Sequence, residues 1–318
     1  MFKYIRLQII YPCRARCTWC STHRKNPLFF QLYRDSIAAK IHHFYIEIIR
    51  KFQPEGVFIS GGEPLIYPEI ASFLNAIKDS TQRINIFTSY QFSRKEFMCI
   101  PFAEMPLEKI TLNHTIIYFE PENWHQQTNG FPFELYVDNI KSAMEVSVRK
   151  RFKFIVNHPD FPDELQRFQH LASPEGHCEL GLKVINDQGS HLNVSSMQQT
   201  KNLVRERAYA LDQLVAGAEW GSINRKPGSL ETMLPVLTSD DVDQCAYRQE
   251  PIELRFALYK ADTDRQILKY RYCPYFPSDF GYRFHLGRDD PAKLQSNYSK
   301  GDFHQYCSDC RFLNYCSQ

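Results

Sequence analysis

Short apolar segments alternate with stretches of helical period through the first 186 residues, and this alternation restricts the possible folds more than any other feature. "KYIRLQIIY" (3–11) is rich in Ile, Leu and Tyr, stops at Pro12 and predicts a buried strand. Ile37, Ile41, Phe44, Tyr45, Ile48 and Phe52 recur at helical spacing and predict a helix over 36–52. "GVFIS" (56–60) predicts a second strand, and residues 67–80, with Pro68 near their start, a second helix. Strands are expected again at 83–89, 108–117, 151–157 and 179–185, with helical spacing over 131–148 and 162–172. Strands that alternate with helices cross over in one sense and pair in parallel, and the loops at their C-terminal ends carry the chemistry.

The rhythm breaks after residue 186. Residues 187–244 hold a polar stretch, a probable helix over 200–220 and a turn-rich segment, read as a bridging region. Residues 251–274 alternate apolar and polar positions on either side of "ADTD", which predicts a hairpin inside a C-terminal unit spanning 245–318. Basic residues number 38 and acidic residues 36, so no broad electrostatic case exists for a nucleic acid or a membrane surface as partner. No apolar run is long enough to span a bilayer and the start lacks signal-peptide character, which leads to a cytoplasmic expectation.

In a reducing compartment the ten cysteines are better suited to metal or cofactor ligation than to disulfides. Cys13, Cys17 and Cys20 lie at one end of the chain, and Cys245, Cys273, Cys307, Cys310 and Cys316 at the other. Cys99 and Cys178 stand apart and read as core residues, with a hydrogen donor to a reactive intermediate as the alternative. Three thiolates leave one iron of a four-iron cluster without a protein ligand, whereas structural zinc normally takes four ligands. His23 could complete such a zinc site, and the paired C-terminal cysteines could equally form a zinc ribbon. Arg14, Arg16, Arg24 and Lys25 surround the first cysteines, either as solvated loop charges or as partners for an acidic substrate.

"CRARCTWC" (13–20) fits a CxxxCxxC signature with Trp19 before its last cysteine, and "GGEP" (61–64) follows the second expected strand. Together they resemble the radical S-adenosylmethionine (radical SAM) superfamily. The resemblance implies an α/β fold, a partial (β/α)6 TIM-like barrel, in which Cys13, Cys17 and Cys20 hold a SAM-binding 4Fe-4S cluster. It further implies that Gly61, Gly62 and Glu63 meet the methionine amino group of SAM. Weaker likenesses place Thr111 and Asn113 near the SAM ribose or carboxylate, Ser89 and Tyr90 where an Asn-Gly pair is frequent, and Asn157 on the fifth strand. "NWHQQTNGFPFELYVDNI" (123–140) also follows the pattern, with His125 structural and Asn139-Ile140 opening a helix.

The hairpin and "CSDCRFLNYC" (307–316) look like a SPASM or twitch extension, which implies an auxiliary 4Fe-4S cluster on Cys245, Cys273, Cys307 and Cys310. Cys316 is then an alternative ligand or a hydrogen donor near the substrate, and the chain ending two residues later leads us to expect a single auxiliary cluster. The implied activity is reductive cleavage of SAM to a 5'-deoxyadenosyl radical, fed by a flavodoxin- or ferredoxin-type donor. The first expectation for the substrate is a ribosomally made peptide, although a first strand beginning by residue 3 leaves no room for a preceding leader-recognition domain. The others are a small sugar-like or nucleoside metabolite, dehydrogenated or epimerised, and a non-catalytic structural metal protein.

Overall fold

The structure, a computed structural model, describes residues 2–13, 37–116, 119–128, 130–155, 161–172, 178–183, 253–256, 267–271 and 282–299. Strand β1 (Tyr4–Ile9) turns Ile5, Leu7 and Ile9 into the core, and helix α1 (Ile37–Phe52) covers them with Ile41, Tyr45 and Ile48. Gln53 ends α1 at a φ of 44°, its N–H donating to the Ile49 carbonyl at 2.9 Å, and Pro54 follows. This left-handed stop is the usual way to close a helix ahead of a proline. Strand β2 (Gly56–Gly61), helix α2 (Ile70–Ile77) and strand β3 (Arg83–Phe87) repeat the unit.

A five-residue helix α3 (Arg94–Met98) comes next, opened by a capping box in which Ser93 and Glu96 satisfy each other's backbone N–H groups. Strand β4 (Ile110–Ile116), helices α4 (Pro121–Thr128) and α5 (Phe133–Glu145), strand β5 (Arg149–Ile155), helix α6 (Phe161–Ala172) and strand β6 (Cys178–Lys183) complete the series. Strands β1 to β6 pair in parallel in chain order, as the alternation of segments requires.

Strand β7 (Glu253–Phe256) lies parallel to β1 on its free side. Strands β8 (Ile267–Arg271) and β9 (Tyr282–His285) then extend the sheet antiparallel, and helix α7 (Ala292–Ser299) follows. The hairpin expected over 251–274 is thus β7 and β8, and its first strand joins the main sheet. Phe44 of α1 holds this edge, with ring centroids 5.6 Å from Phe256 and 4.6 Å from Phe284. An exposed Lys51–Asp290 pair at 2.8 Å adds little to that packing. Among the described residues no helix is long and apolar enough to cross a membrane.

Local expectations change in three places. Cys99 is exposed rather than buried, because it caps the short surface helix α3 beside exposed Met98. Asn139 does not open a helix: it lies in the middle of α5, buried, and its amide donates to the Tyr90 carbonyl at 2.9 Å and the Phe92 carbonyl at 2.8 Å. Helices α3 and α4 fall in stretches with no expected helix; in α4, Pro121, Glu122 and Asn123 offer no apolar stripe.

Candidate active site at the strand ends

The C-terminal end of β1 carries Ile10 to Cys13 away from the sheet, and its backbone is held from both sides. The Ile10 N–H donates to His42 Nε2 at 2.9 Å. That leaves the His42 proton on Nδ1, which donates to the Tyr67 hydroxyl at 3.0 Å, and the hydroxyl donates to Glu69 Oε2 at 3.1 Å. Burial lowers the pKa of His42 to about 4, so the ring stays neutral and able to accept from the backbone. His42 was not singled out from the sequence, although it falls on the apolar stripe of α1 one helical turn from Ala38 and Tyr45. A polar residue at a core position was the available signal.

From the other side, Gly61 and Gly62 press against the same segment. Gly61 has a φ of 134°, and a Cβ there would lie 2.1 Å from the Ile9 carbonyl oxygen. A Cβ on Gly62 would lie 1.8 Å from the Tyr11 carbonyl oxygen and 3.2 Å from the Cys13 nitrogen. The glycine pair is therefore required by the approach of the chain's own cysteine-bearing backbone, before any ligand is considered. Cys13 and the "GGEP" turn, some fifty residues apart in sequence, form one packed unit.

Glu63 follows the glycines and is wholly buried, at 0% exposure. Its Oε1 accepts from the Leu65 N–H at 3.2 Å, and its Oε2 accepts from both the N–H and the hydroxyl of Ser89 at 2.7 Å. Burial pushes the carboxyl pKa up, and the bonds from Ser89 are the largest force pulling it back. No positive charge among the described residues contributes to that balance. A buried carboxyl with donors fixed on both oxygens and no cation beside it is suited to an incoming ammonium group.

Ser89 belongs to the turn after β3, where Tyr90 takes a φ of 56° that glycine would adopt without strain. The Tyr90 ring is wholly buried, stacked 6.1 Å from Phe152 and edge-on to His114 at 5.2 Å. His114 donates from Nδ1 to the Thr88 carbonyl at 2.8 Å and accepts at Nε2 from the Tyr136 hydroxyl at 2.6 Å, tying this turn to α5. Aromatic packing thus holds the unusual backbone at Tyr90. The sequence shows the departure from Asn-Gly but not its compensation.

Asn113 and Thr111 lie on β4, both buried on the sheet face turned away from the helices. The Asn113 amide donates to Asn85 Oδ1 at 3.2 Å and to the Thr111 carbonyl at 3.0 Å. The structure therefore brings together Cys13, Gly61, Gly62, Glu63 and Ser89, and sets Thr111 and Asn113 lower on the sheet. His125 is exposed on α4. Cys17, Trp19, Cys20, His23, Asn157, Cys245, Cys273, Cys307, Cys310 and Cys316 lie outside the described residues, as do Arg14, Arg16, Arg24 and Lys25; Cys178 lies on β6.

The comparison that decides the family spans this arrangement, since the radical SAM superfamily profile matches residues 7–172. The chain belongs to the radical SAM superfamily. In sequence it is 27% identical over 178 residues to a GTP 3',8-cyclase of Lactiplantibacillus plantarum, covering 54% of this chain and 51% of that one. A GTP 3',8-cyclase of Limosilactobacillus fermentum is 26% identical over 174 residues, covering 53% and 50%. The chain thus spans about half the length of the curated relatives it matches.

In fold it resembles Streptococcus suis SuiB, with a TM-score of 0.62 at 12% identity over 99% of this chain and 72% of that one. It also resembles anSMEcpe with bound AdoMet, with a TM-score of 0.56 at 12% identity over 99% and 88%. Membership of a radical SAM superfamily implies a 4Fe-4S cluster and SAM, and the residues described fit that pair. Half-buried Cys13 is presented at a strand end, and Glu63 is a buried carboxyl to which no cation among the described residues contributes.

Proposed function

We propose that this radical SAM chain reductively cleaves S-adenosylmethionine and uses the resulting 5'-deoxyadenosyl radical to take a hydrogen atom from its substrate. The observation that carries the reading is the packing of Gly62, the residue before buried Glu63, on Tyr11 and Cys13 at the start of the cysteine loop. Cys13, Cys17 and Cys20 would hold the cluster, which supplies the electron that breaks the SAM sulfonium bond when both are bound. The chain's own contribution is to hold the SAM ammonium at Glu63, to keep Glu63 fixed through Ser89, and to support the strand end through His42. A flavodoxin- or ferredoxin-type protein would deliver the electron, in a cytoplasmic setting.

For the substrate, we favour a small nucleoside- or sugar-like metabolite, because the sequence relatives over the barrel half carry the name GTP 3',8-cyclase. Modification of a ribosomally made peptide by crosslinking, epimerisation or related C–H chemistry is the second reading. It is supported by the SPASM- or twitch-like cysteine pattern, with a partial barrel over 1–186, a bridge over 187–244 and an auxiliary-cluster unit over 245–318. In that unit Cys245, Cys273, Cys307 and Cys310 would ligate an auxiliary 4Fe-4S cluster, with Cys316 as a substitute ligand or hydrogen donor.

Anaerobic reconstitution tests the proposal. The reduced protein should form 5'-deoxyadenosine from SAM and bind about eight irons for two four-iron clusters. No deoxyadenosine, with zinc bound in place of iron, would reject it. Cys17→Ala should abolish SAM cleavage, whereas Cys310→Ala should keep part of the cleavage and stop product formation.

A further inference from the structure

The face of the sheet turned away from the helices carries many basic residues along strands whose other face is largely apolar. At one level of the register Arg6, Phe58, Asn85, Thr111 and Arg149 pair in succession across β1 to β5. One level nearer the strand ends, Phe87 pairs with Asn113 and Asn113 with Arg151. Backbone pairing also sets Arg255 beside Arg6, and Lys153 follows Arg151 by two residues on the same strand. The acidic residues at register positions on this face of the described strands are Glu179, paired with Arg151, and Glu253, paired with Tyr4. Basic residues at neighbouring positions of one face repel each other, and nothing in the helix packing requires them there.

Arg6 is positioned by its surroundings, and Arg151 by its register on β5. The Arg6 guanidinium lies over the Phe58 ring at 5.0 Å and over the Phe87 ring at 5.5 Å. Contact with two rings restrains where the guanidinium sits. Half-buried Arg151 stands level with Asn113, whose amide is fixed by Asn85 and the Thr111 carbonyl. Strands lie about 4.8 Å apart, so cations on β1 and β5 are spread over about 19 Å along the sheet. The Arg6 guanidinium already lies over β2 and β3, and an arginine side chain on β5 is long enough to reach back toward it, so the gap between the two charges is one that a di- or triphosphate bridges and a single carboxylate does not.

We propose that this face binds the phosphate-bearing end of a small-molecule substrate, with Arg151 and Arg6 as its ligands and Asn113 as a neighbouring donor. The proposal deepens the metabolite reading above and rests on it. It does not depend on either arginine being free of other partners: a phosphate would join or displace contacts already made.

The test is equilibrium dialysis of the reconstituted full-length protein against GTP, pyrophosphate, guanosine and triglutamate. GTP should bind at least about tenfold more tightly than guanosine, and raising the salt concentration should shrink that advantage. Arg151→Gln and Arg6→Gln should each weaken GTP and pyrophosphate binding by about tenfold, with Arg151→Lys intermediate because it keeps the charge and loses the fork. Guanosine binding as tightly as GTP, no saturable binding of either phosphate probe, or preferential binding of triglutamate would overturn the proposal. The wild-type ligand series can refute the proposal even if a variant fails to fold, and unchanged phosphate binding in both folded Gln variants would overturn it as well. Deoxyadenosine formation is scored on the same sample: its absence defeats the catalytic reading, whereas its presence with phosphate-independent binding defeats the phosphate site alone.

Discussion

On the helix side of the sheet, Leu7, Ile59, Ile86, Leu112 and Phe152 belong to one apolar cluster, while the residues beside them in sequence, Gln8, Phe58, Asn85, Asn113 and Arg151, face the other way. A parallel sheet covered on both sides reads as a continuous apolar run. Here most helix-facing positions are apolar, with His114 on β4 and Lys150 on β5 as buried polar exceptions, and several of the positions between carry basic or amide groups. The first face resembles an ordinary core, in which volume decides. The second carries cation, ring and amide contacts instead.

The largest effect is expected where the two regions meet, at the strand ends. Gly62→Ala would drive a Cβ into the Tyr11 carbonyl and should destabilise the protein by more than about 4 kcal/mol, or prevent folding, as read by the urea midpoint. Normal stability in this variant would break the claim that "GGEP" and the cysteine segment are one packed unit. Next, Leu112→Ala on the helix side should cost about 2–5 kcal/mol, whereas Thr115→Ala on the opposite face of the same strand should cost no more than about 1 kcal/mol. Equal losses would remove the distinction between the faces.

The third effect depends on pH. His42 has a folded pKa of about 4, below the ordinary 6.5, so the unfolded chain takes up its proton first. Stability should therefore fall as pH drops from about 6.5 to about 4, by about 3 kcal/mol in all, and this contribution should be flat below that window. Glu63 acts with the opposite sign: its raised carboxyl pKa gives a contribution present at low pH and lost as pH rises through the folded value. The difference between wild type and His42→Gln in urea titrations at several pH values isolates the histidine.

The smallest effect sharpens the ligand side. Ser89→Ala removes the hydroxyl bond to Glu63 and keeps the N–H bond, so the carboxyl pKa should move further up. SAM affinity at neutral pH should then drop by about tenfold, with Ser89→Thr restoring it, as measured by dialysis on cluster-loaded protein. An unchanged affinity would show that Ser89 serves only the turn.

Much of the scaffold was legible because its signals are local. The stripe over 36–52 became α1, and the apolar segments became β1 to β6 with ends displaced by a few residues. Helix α4 was not legible because its stability comes from tertiary contacts: Trp124 stacks on Tyr136 at 3.9 Å and donates from Nε1 to the Phe131 carbonyl at 2.8 Å. Of the residues the structure brings together, the "GGEP" turn and Cys13 were singled out by their likeness to the radical SAM signatures, and Ser89 by its place after β3. His42, His114 and Asn139 were missed, because each looks like an ordinary polar residue in a helix or strand until the backbone atoms it satisfies are known.

The sequence by itself determined the alternating α/β layer and the likeness to a SAM-binding cysteine loop, since residue spacing along a strand, a helix or a short loop is a property of neighbouring residues. Only the tertiary structure decided why two glycines must precede Glu63, which groups hold its carboxyl, and that Arg6, Asn113 and Arg151 share one face. The reason is that such facts arise from contacts between backbone segments tens of residues apart, and register across a sheet is set by the packing of all its strands together.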